Sequence, residues 1–197
     1  MLVDRREVIA SFLNRGFFYM NNTFTPVNIF IAIGANLVPE GYDDLHKALE
    51  DAVDQLCDTQ LELLARSDWY VTKAVPASDQ PDFLNAVLAM TSQLNARETL
   101  AILHHLENTF GRQRAVVNEA RVLDLDLLAY DQVIIDEPDI IVPHPRLSQR
   151  SFVLMPWAQI APDWTHPCLK LTVAEMLDAL PAADKAAPAI EAWQHRS

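Results

Sequence analysis

Val122-Leu-Asp124-Leu-Asp126-Leu-Leu-Ala-Tyr130 reads as a strand with two unlike faces. Successive side chains of an extended chain point to opposite sides, so Leu123, Leu125 and Leu127 line a core while Asp124 and Asp126 stand side by side opposite. Two carboxylates about 6–7 Å apart along a strand suit Mg2+, which takes one or two carboxylates and completes its shell with water and substrate phosphates. The plain alternative is an acidic, solvated strand face. The company of the aspartates favours a site. Val142-Pro143-His144-Pro145-Arg146 and Arg150-Ser151-Phe152 follow them, and Arg112, Arg114 and Arg121 precede them. Of 15 Lys and Arg in the chain, five lie between Arg112 and Arg150, and all five are arginine, the side chain matched to bidentate phosphate contacts.

Outward from this strand the pattern alternates between the two periods. Val27 to Ile33 is nearly continuous apolar sequence, suited to a buried strand, and Gly34-Ala35-Asn36 ends it. Leu45, Ala48, Leu49, Ala52, Val53 and Leu56 recur at helical spacing after Asp43 and Asp44. Cys57 closes that stripe and reads as packing. Leu61 to Thr72 is expected as a strand, Lys73 to Pro81 as a loop, and Phe83 to Thr91 as a strand with Phe83 and Asn85 on one face. Asn95-Ala-Arg-Glu98 is a capping box opening a helix that buries Leu100, Leu103 and Phe110 and stops at Gly111. Residues 112–121 form a polar loop, and Val133 to Val142 supplies further strand. Ser148 to Gln159 is expected as a helix interrupted near Pro156, and Thr172-Val-Ala-Glu175 caps a last helix that ends before Pro181. Strands and helices in this mixed order predict an α+β fold rather than a doubly wound sheet.

Length and composition narrow the function. The 197 residues, half of them hydrophobic, suffice for one domain with a core. We divide them into an extension over 1–26, a domain over 27–180 and a tail over 181–197. No run approaches the ~20 apolar residues of a membrane helix, and a formal charge of −12 disfavours nucleic acid as a partner. An acidic chain with a local arginine cluster fits a small polyanion. None of the four glycines begins GxGxxG or GxxxxGK, so phosphate must be held by side chains and metal. Two cysteines without zinc spacing, and no clear signal peptide, make the cytoplasm the expected compartment.

Several motifs together carry a resemblance. Ile31-Ala-Ile-Gly34-Ala-Asn36-Leu37, Asp79-Gln-Pro-Asp82-Phe83-Leu-Asn85, Glu107-Asn-Thr-Phe-Gly111-Arg112-Gln-Arg114, Leu123-Asp-Leu-Asp126 and Val142-Pro-His144 resemble, in order and spacing, the 6-hydroxymethyl-7,8-dihydropterin pyrophosphokinases of the folate pathway. The similarity runs from about Val27 to Leu180. It implies a three-layer αβα sandwich of ferredoxin-like kind on an antiparallel-rich sheet, acting as a monomer on ATP and hydroxymethyldihydropterin. It implies that Asp124 and Asp126 bind two Mg2+ ions and that Arg112 and Arg121 meet the transferring phosphates. It also implies ATP contacts from Arg114, His144 and Arg150, adenosine contacts from Glu107 and the backbone near Leu127 and Ile141, and a minor nucleotide role for His104. Phe83 and Phe152 match the aromatic walls of the pterin pocket, Asn85 the amide that reads its edge, and Thr72 and Val75 its third side.

Two loops depart from the family. A Trp-Gly-Pro-Arg run usual before the Asp-x-Asp strand is replaced here by Val117-Asn118-Glu119-Ala120-Arg121, and a Thr-Pro-Pro-x-Gly loop by Thr72-Lys73-Ala74-Val75-Pro76. They keep open a non-catalytic paralogue that binds nucleotide or pterin, and a different Mg2+-dependent phosphotransferase. Retention of both aspartates, Arg112, Arg121 and His144 favours an enzyme.

Overall fold

The computed structural model describes residues 27–73, 80–111, 121–181 and 191–192. Strand β1 (Val27–Ala35) is apolar along both faces because it is flanked on both edges and covered on both sides. Two strands run antiparallel to it, β4 (Phe83–Ser92) along one edge and β5 (Asp124–Tyr130) along the other. β2 (Glu62–Arg66) and β3 (Tyr70–Thr72) both pair with the far edge of β4, and β8 (Glu191–Ala192), within the segment expected as a tail, pairs with β3. All these pairings are antiparallel.

The single strand expected over Leu61 to Thr72 is broken in two. Ser67 both donates its backbone N–H to the Val87 carbonyl and accepts the Val87 N–H on Oγ, each at 3.0 Å. A hydroxyl thus stands in for a ladder partner. Trp69 then turns inward and its indole N–H bonds Glu50 at 2.8 Å.

Helix α1 (Leu45–Cys57) is capped by the Asp44 carboxylate on the Lys47 N–H at 2.7 Å, and α2 (Ala96–Thr109) by the expected Asn95–Glu98 capping box. Gly111, at φ +86, turns the chain away where a side chain would be strained. Both helices cover the face carrying Ile29, Ile31, Ile33, Leu123, Leu125 and Leu127. Cys57 departs from expectation: it is exposed, because α1 ends there beside exposed Asp58 to Gln60.

Helices α3 (Ser151–Ile160), preceded by a 3-10 turn at Leu147–Gln149, and α4 (Val173–Ala179), opened by the Thr172–Glu175 capping box, belong to the opposite face. There Phe30, Val87, Leu128 and Ala129 meet Val153, Leu154, Trp157 and Trp164, with the two indoles stacked at 4.7 Å. Pro156 does not interrupt α3. The hydrogen bond it forgoes would have reached the first-turn carbonyl of Phe152, and the buried ring between Leu154 and Trp157 is part of the core that holds the helix. A register shift between Phe30 and Ile31 leaves Leu128 as an extra residue, so that the consecutive Leu128 and Ala129 both belong to the cluster on the α3 face.

The stretch from Val133 to Val142 does not join the main sheet. Its strands β6 (Ile135–Glu137) and β7 (Ile140–Val142) form a separate hairpin, tied to the start of α2 by Arg97 with Glu137 and Asp139.

Candidate active site

Residues directly opposite in adjacent strands share a face. Gly34 in β1 is paired on one side with Asn85 of β4 and on the other with Asp124 of β5, and Ala32 likewise lies between Val87 and Asp126. Two rows therefore cross the sheet, with the aspartates at one end, Asn85 at the other and small residues between. The floor is low by necessity: a Cβ on Gly34 would run into the Asn85 side-chain oxygen. This is the face covered by α3, and the site lies where that helix begins.

The aspartate end is framed by cations. Asp124 forms an ion pair with Arg121, and Asp126 accepts from Arg150 Nη1 at 3.1 Å, with His144 Nε2 at 3.9 Å. Arg150 immediately precedes α3, and its guanidinium lies 5.5 Å from the centre of the Phe152 ring. His144 follows the cis Val142–Pro143 bond, and its backbone N–H donates to Leu128 of β5 at 2.9 Å. Its Nδ1 accepts the Arg146 N–H at 3.1 Å, so the neutral ring carries its proton on Nε2, toward Asp126. Burial holds the His144 pKa below the ordinary value, against the opposing pull of Asp126.

Among the described residues no third His, Cys, Asp or Glu completes a protein-only metal cage with these aspartates. The donor set is two partly exposed carboxylates on one strand face. This fits Mg2+ finished by phosphate and water, and not a structural zinc site.

At the other end, the Asn85 amide donates to Thr72 Oγ1 at 2.8 Å, both side chains being buried. Thr72 pairs with Phe83 across β3 and β4. Phe83 and Phe152 are each half-buried; Phe152 packs on the α3 core, whereas Phe83 belongs to neither apolar cluster.

The structure thus brings together Thr72, Phe83, Asn85, Arg121, Asp124, Asp126, His144, Arg150 and Phe152. Arg112, Arg114 and Val75 lie outside the described residues. The Leu127 side chain is buried in the α1/α2 core, and Ile141 is exposed on the hairpin. Glu107 is 1% exposed and accepts the Leu125 N–H at 2.9 Å. Sequence reasoning assigned no role to Gly34 or Asn36. Their signal was the small-residue end of a buried strand.

The profile of the family described as 7,8-dihydro-6-hydroxymethylpterin-pyrophosphokinase (HPPK) matches residues 30–162. The 2-amino-4-hydroxy-6-hydroxymethyldihydropteridine pyrophosphokinase of Haemophilus influenzae is 36% identical over 141 residues, covering 72% of this chain and 86% of that one. Folic acid synthesis protein fol1 of Pneumocystis carinii is 30% identical over 177 residues, covering 88% of this chain but only 23% of its own length. In fold, the chain is similar to wild-type Plasmodium falciparum HPPK-DHPS with a TM-score of 0.61 at 11% identity, over 78% of this chain and 44% of that one. The chain therefore spans about a quarter of the fungal protein and under half of the Plasmodium one. The profile match, which covers all of the residues that build the two-ended site, shows that this chain belongs to the 7,8-dihydro-6-hydroxymethylpterin-pyrophosphokinase family.

Proposed function

We propose that this chain transfers diphosphate from ATP to the hydroxymethyl group of 6-hydroxymethyl-7,8-dihydropterin and releases AMP, a step of folate biosynthesis. The observation that carries the proposal is the Asn85–Gly34–Asp124 row, in which an amide and a carboxylate share one sheet face across a side-chain-free gap. An edge-reading amide beside two aromatic rings suits a flat heterocycle. Two carboxylates among arginines suit a triphosphate with its cation.

In the proposed reaction the pterin hydroxymethyl oxygen bonds to the β-phosphorus of ATP and gives up its proton to solvent, the bond from that phosphorus to the α,β-bridging oxygen breaks, and AMP departs with the electron pair. Asp124 and Asp126 would hold Mg2+, which neutralises the phosphates and lowers the pKa of the attacking hydroxyl. Arg121 and Arg150 supply permanent positive charge at the two carboxylates and, with nucleotide bound, at the phosphate oxygens where negative charge grows. His144 offers Nε2–H to the same oxygens. Thr72 orients the Asn85 amide so that its oxygen stays available to the heterocycle, and Phe83 and Phe152 stack on the ring. Alignment and charge neutralisation are what this class of transfer asks of a protein.

The strand order β5-β1-β4-β3-β8, with β2 also paired to β4, and apolar clusters on both sheet faces, support a three-layer, ferredoxin-like reading of the fold. The test of function is AMP production from Mg·ATP with and without hydroxymethyldihydropterin. AMP that appears only with the pterin is expected. ADP, or hydrolysis independent of pterin, would point to another phosphotransferase, and binding of both ligands without turnover to a non-catalytic paralogue.

A further inference from the structure

Asn36 immediately follows β1 and is 3% exposed, closed to any solute, yet its amide is fully engaged. Its Oδ1 accepts the Arg121 backbone N–H at 2.7 Å, and its Nδ2 donates to Gln80 Oε1 at 3.2 Å and to the Pro81 carbonyl at 3.1 Å. The backbone closes the same knot, since the N–H groups of Asn36 and Leu37 both donate to the Arg121 carbonyl, at 3.0 and 3.1 Å. One side chain therefore grips the segment that carries Arg121 to Asp124 and the segment that enters β4 two residues before Phe83. The partners also set the amide's orientation, oxygen toward an N–H and nitrogen toward a carbonyl.

We propose that Asn36 is a positioning residue that couples the nucleotide end of the site to the pterin end, so that ordering one end by its ligand raises affinity at the other. This rests on the reaction proposed above. The coupling follows from shared constraint. Arg121 and Phe83 are each one short stretch of chain from the same buried amide, whose hydrogen bonds are costly to leave unmade. Such coupling is reciprocal by linkage, so each ligand raises the other's affinity by the same factor.

Asn36→Asp separates the two grips. The carboxylate keeps an acceptor for the Arg121 N–H but removes the donor to Gln80 and Pro81; Asn36→Ala removes both. In the full-length chain, calorimetry would give the affinity for a Mg-bound non-hydrolysable ATP analogue and for 6-hydroxymethylpterin, each with and without the other, and hydrogen exchange would follow the Arg121 amide. For Asn36→Asp we expect nucleotide affinity within about threefold of wild type, pterin affinity down about tenfold, mutual enhancement lost and the Arg121 amide still protected. A charge artefact would act the other way, weakening the anionic nucleotide more than the neutral pterin. Asn36→Ala should weaken both ligands and expose the Arg121 amide. A lowered melting temperature with unchanged affinities and enhancement in both variants would make Asn36 a fold residue only and overturn the proposal. So would equal losses for both ligands in Asn36→Asp. A wild-type chain that binds neither ligand would overturn the functional reading, and the coupling with it.

Discussion

At the scale of single residues, the site depends on where side chains are absent as much as on where they are present. Gly34→Ala would push its methyl into the Asn85 oxygen, tilting the amide off Thr72 and away from the heterocycle. Pterin affinity should fall by roughly tenfold or more, since overpacking in a fixed frame costs about 1–3 kcal/mol. Nucleotide affinity should hold. Calorimetric titration of the two ligands checks this, and an equal loss for both would mean that the glycine serves the sheet as a whole. Asp124→Asn and Asp126→Asn should each lower turnover by about 10³-fold by weakening the proposed Mg2+ site. Both variants should fold, because the two carboxylates are partly exposed. Near-normal rates at saturating Mg2+ in either variant would remove the metal site. The aspartates were legible in the sequence because alternation alone sets their face. Glu107 was not, because burial behind β5 depends on how α2 packs.

At the scale of elements, the turn between α3 and α4 is organised around one imidazole. His166 Nδ1 accepts the backbone N–H groups of Cys168 and Leu169 at 3.1 and 3.3 Å, and its own N–H and carbonyl bond Leu171 and Lys170. Burial holds its pKa below the ordinary histidine value, so the neutral, accepting ring is the folded form. Between the folded pKa and the unfolded value near ~6.5, the unfolded chain binds a proton that the folded one does not. Stability therefore rises with pH through this window and is lost as pH falls through it. Denaturant titrations at about pH 7 and about pH 5 should show a larger loss for wild type than for His166→Gln, in which that titration is gone. Equal losses would assign the acid sensitivity elsewhere, His144 being another histidine whose pKa burial lowers. Capping boxes at Asn95 and Thr172 were readable in advance because their chemistry spans four residues. The break between β2 and β3 was not, because it needs Val87 from a distant strand as partner to Ser67.

At the scale of the whole molecule, a Mg-bound ATP analogue should stabilise the fold by mass action. At about 100-fold over its dissociation constant the gain is about 2.7 kcal/mol, which for a chain of this size raises the melting temperature by roughly 5–10 °C. A thermal shift in wild type that vanishes in the Asp124→Asn/Asp126→Asn double variant is the expected result; a shift that survives would place nucleotide binding away from β5. The sequence by itself determined β1, β4, β5, the helices α1 and α2 and the face on which Asp124 and Asp126 stand, since periods of two and 3.6 residues and local caps are properties of neighbouring residues. It also determined the family, through motifs held in order. Only the tertiary structure decided that Gly34 is the gap between Asn85 and Asp124, that Asn36 binds both Pro81 and Arg121, and that Glu107 is enclosed. Those facts come from strand order and register, which join residues tens of positions apart and leave no periodic trace in the chain.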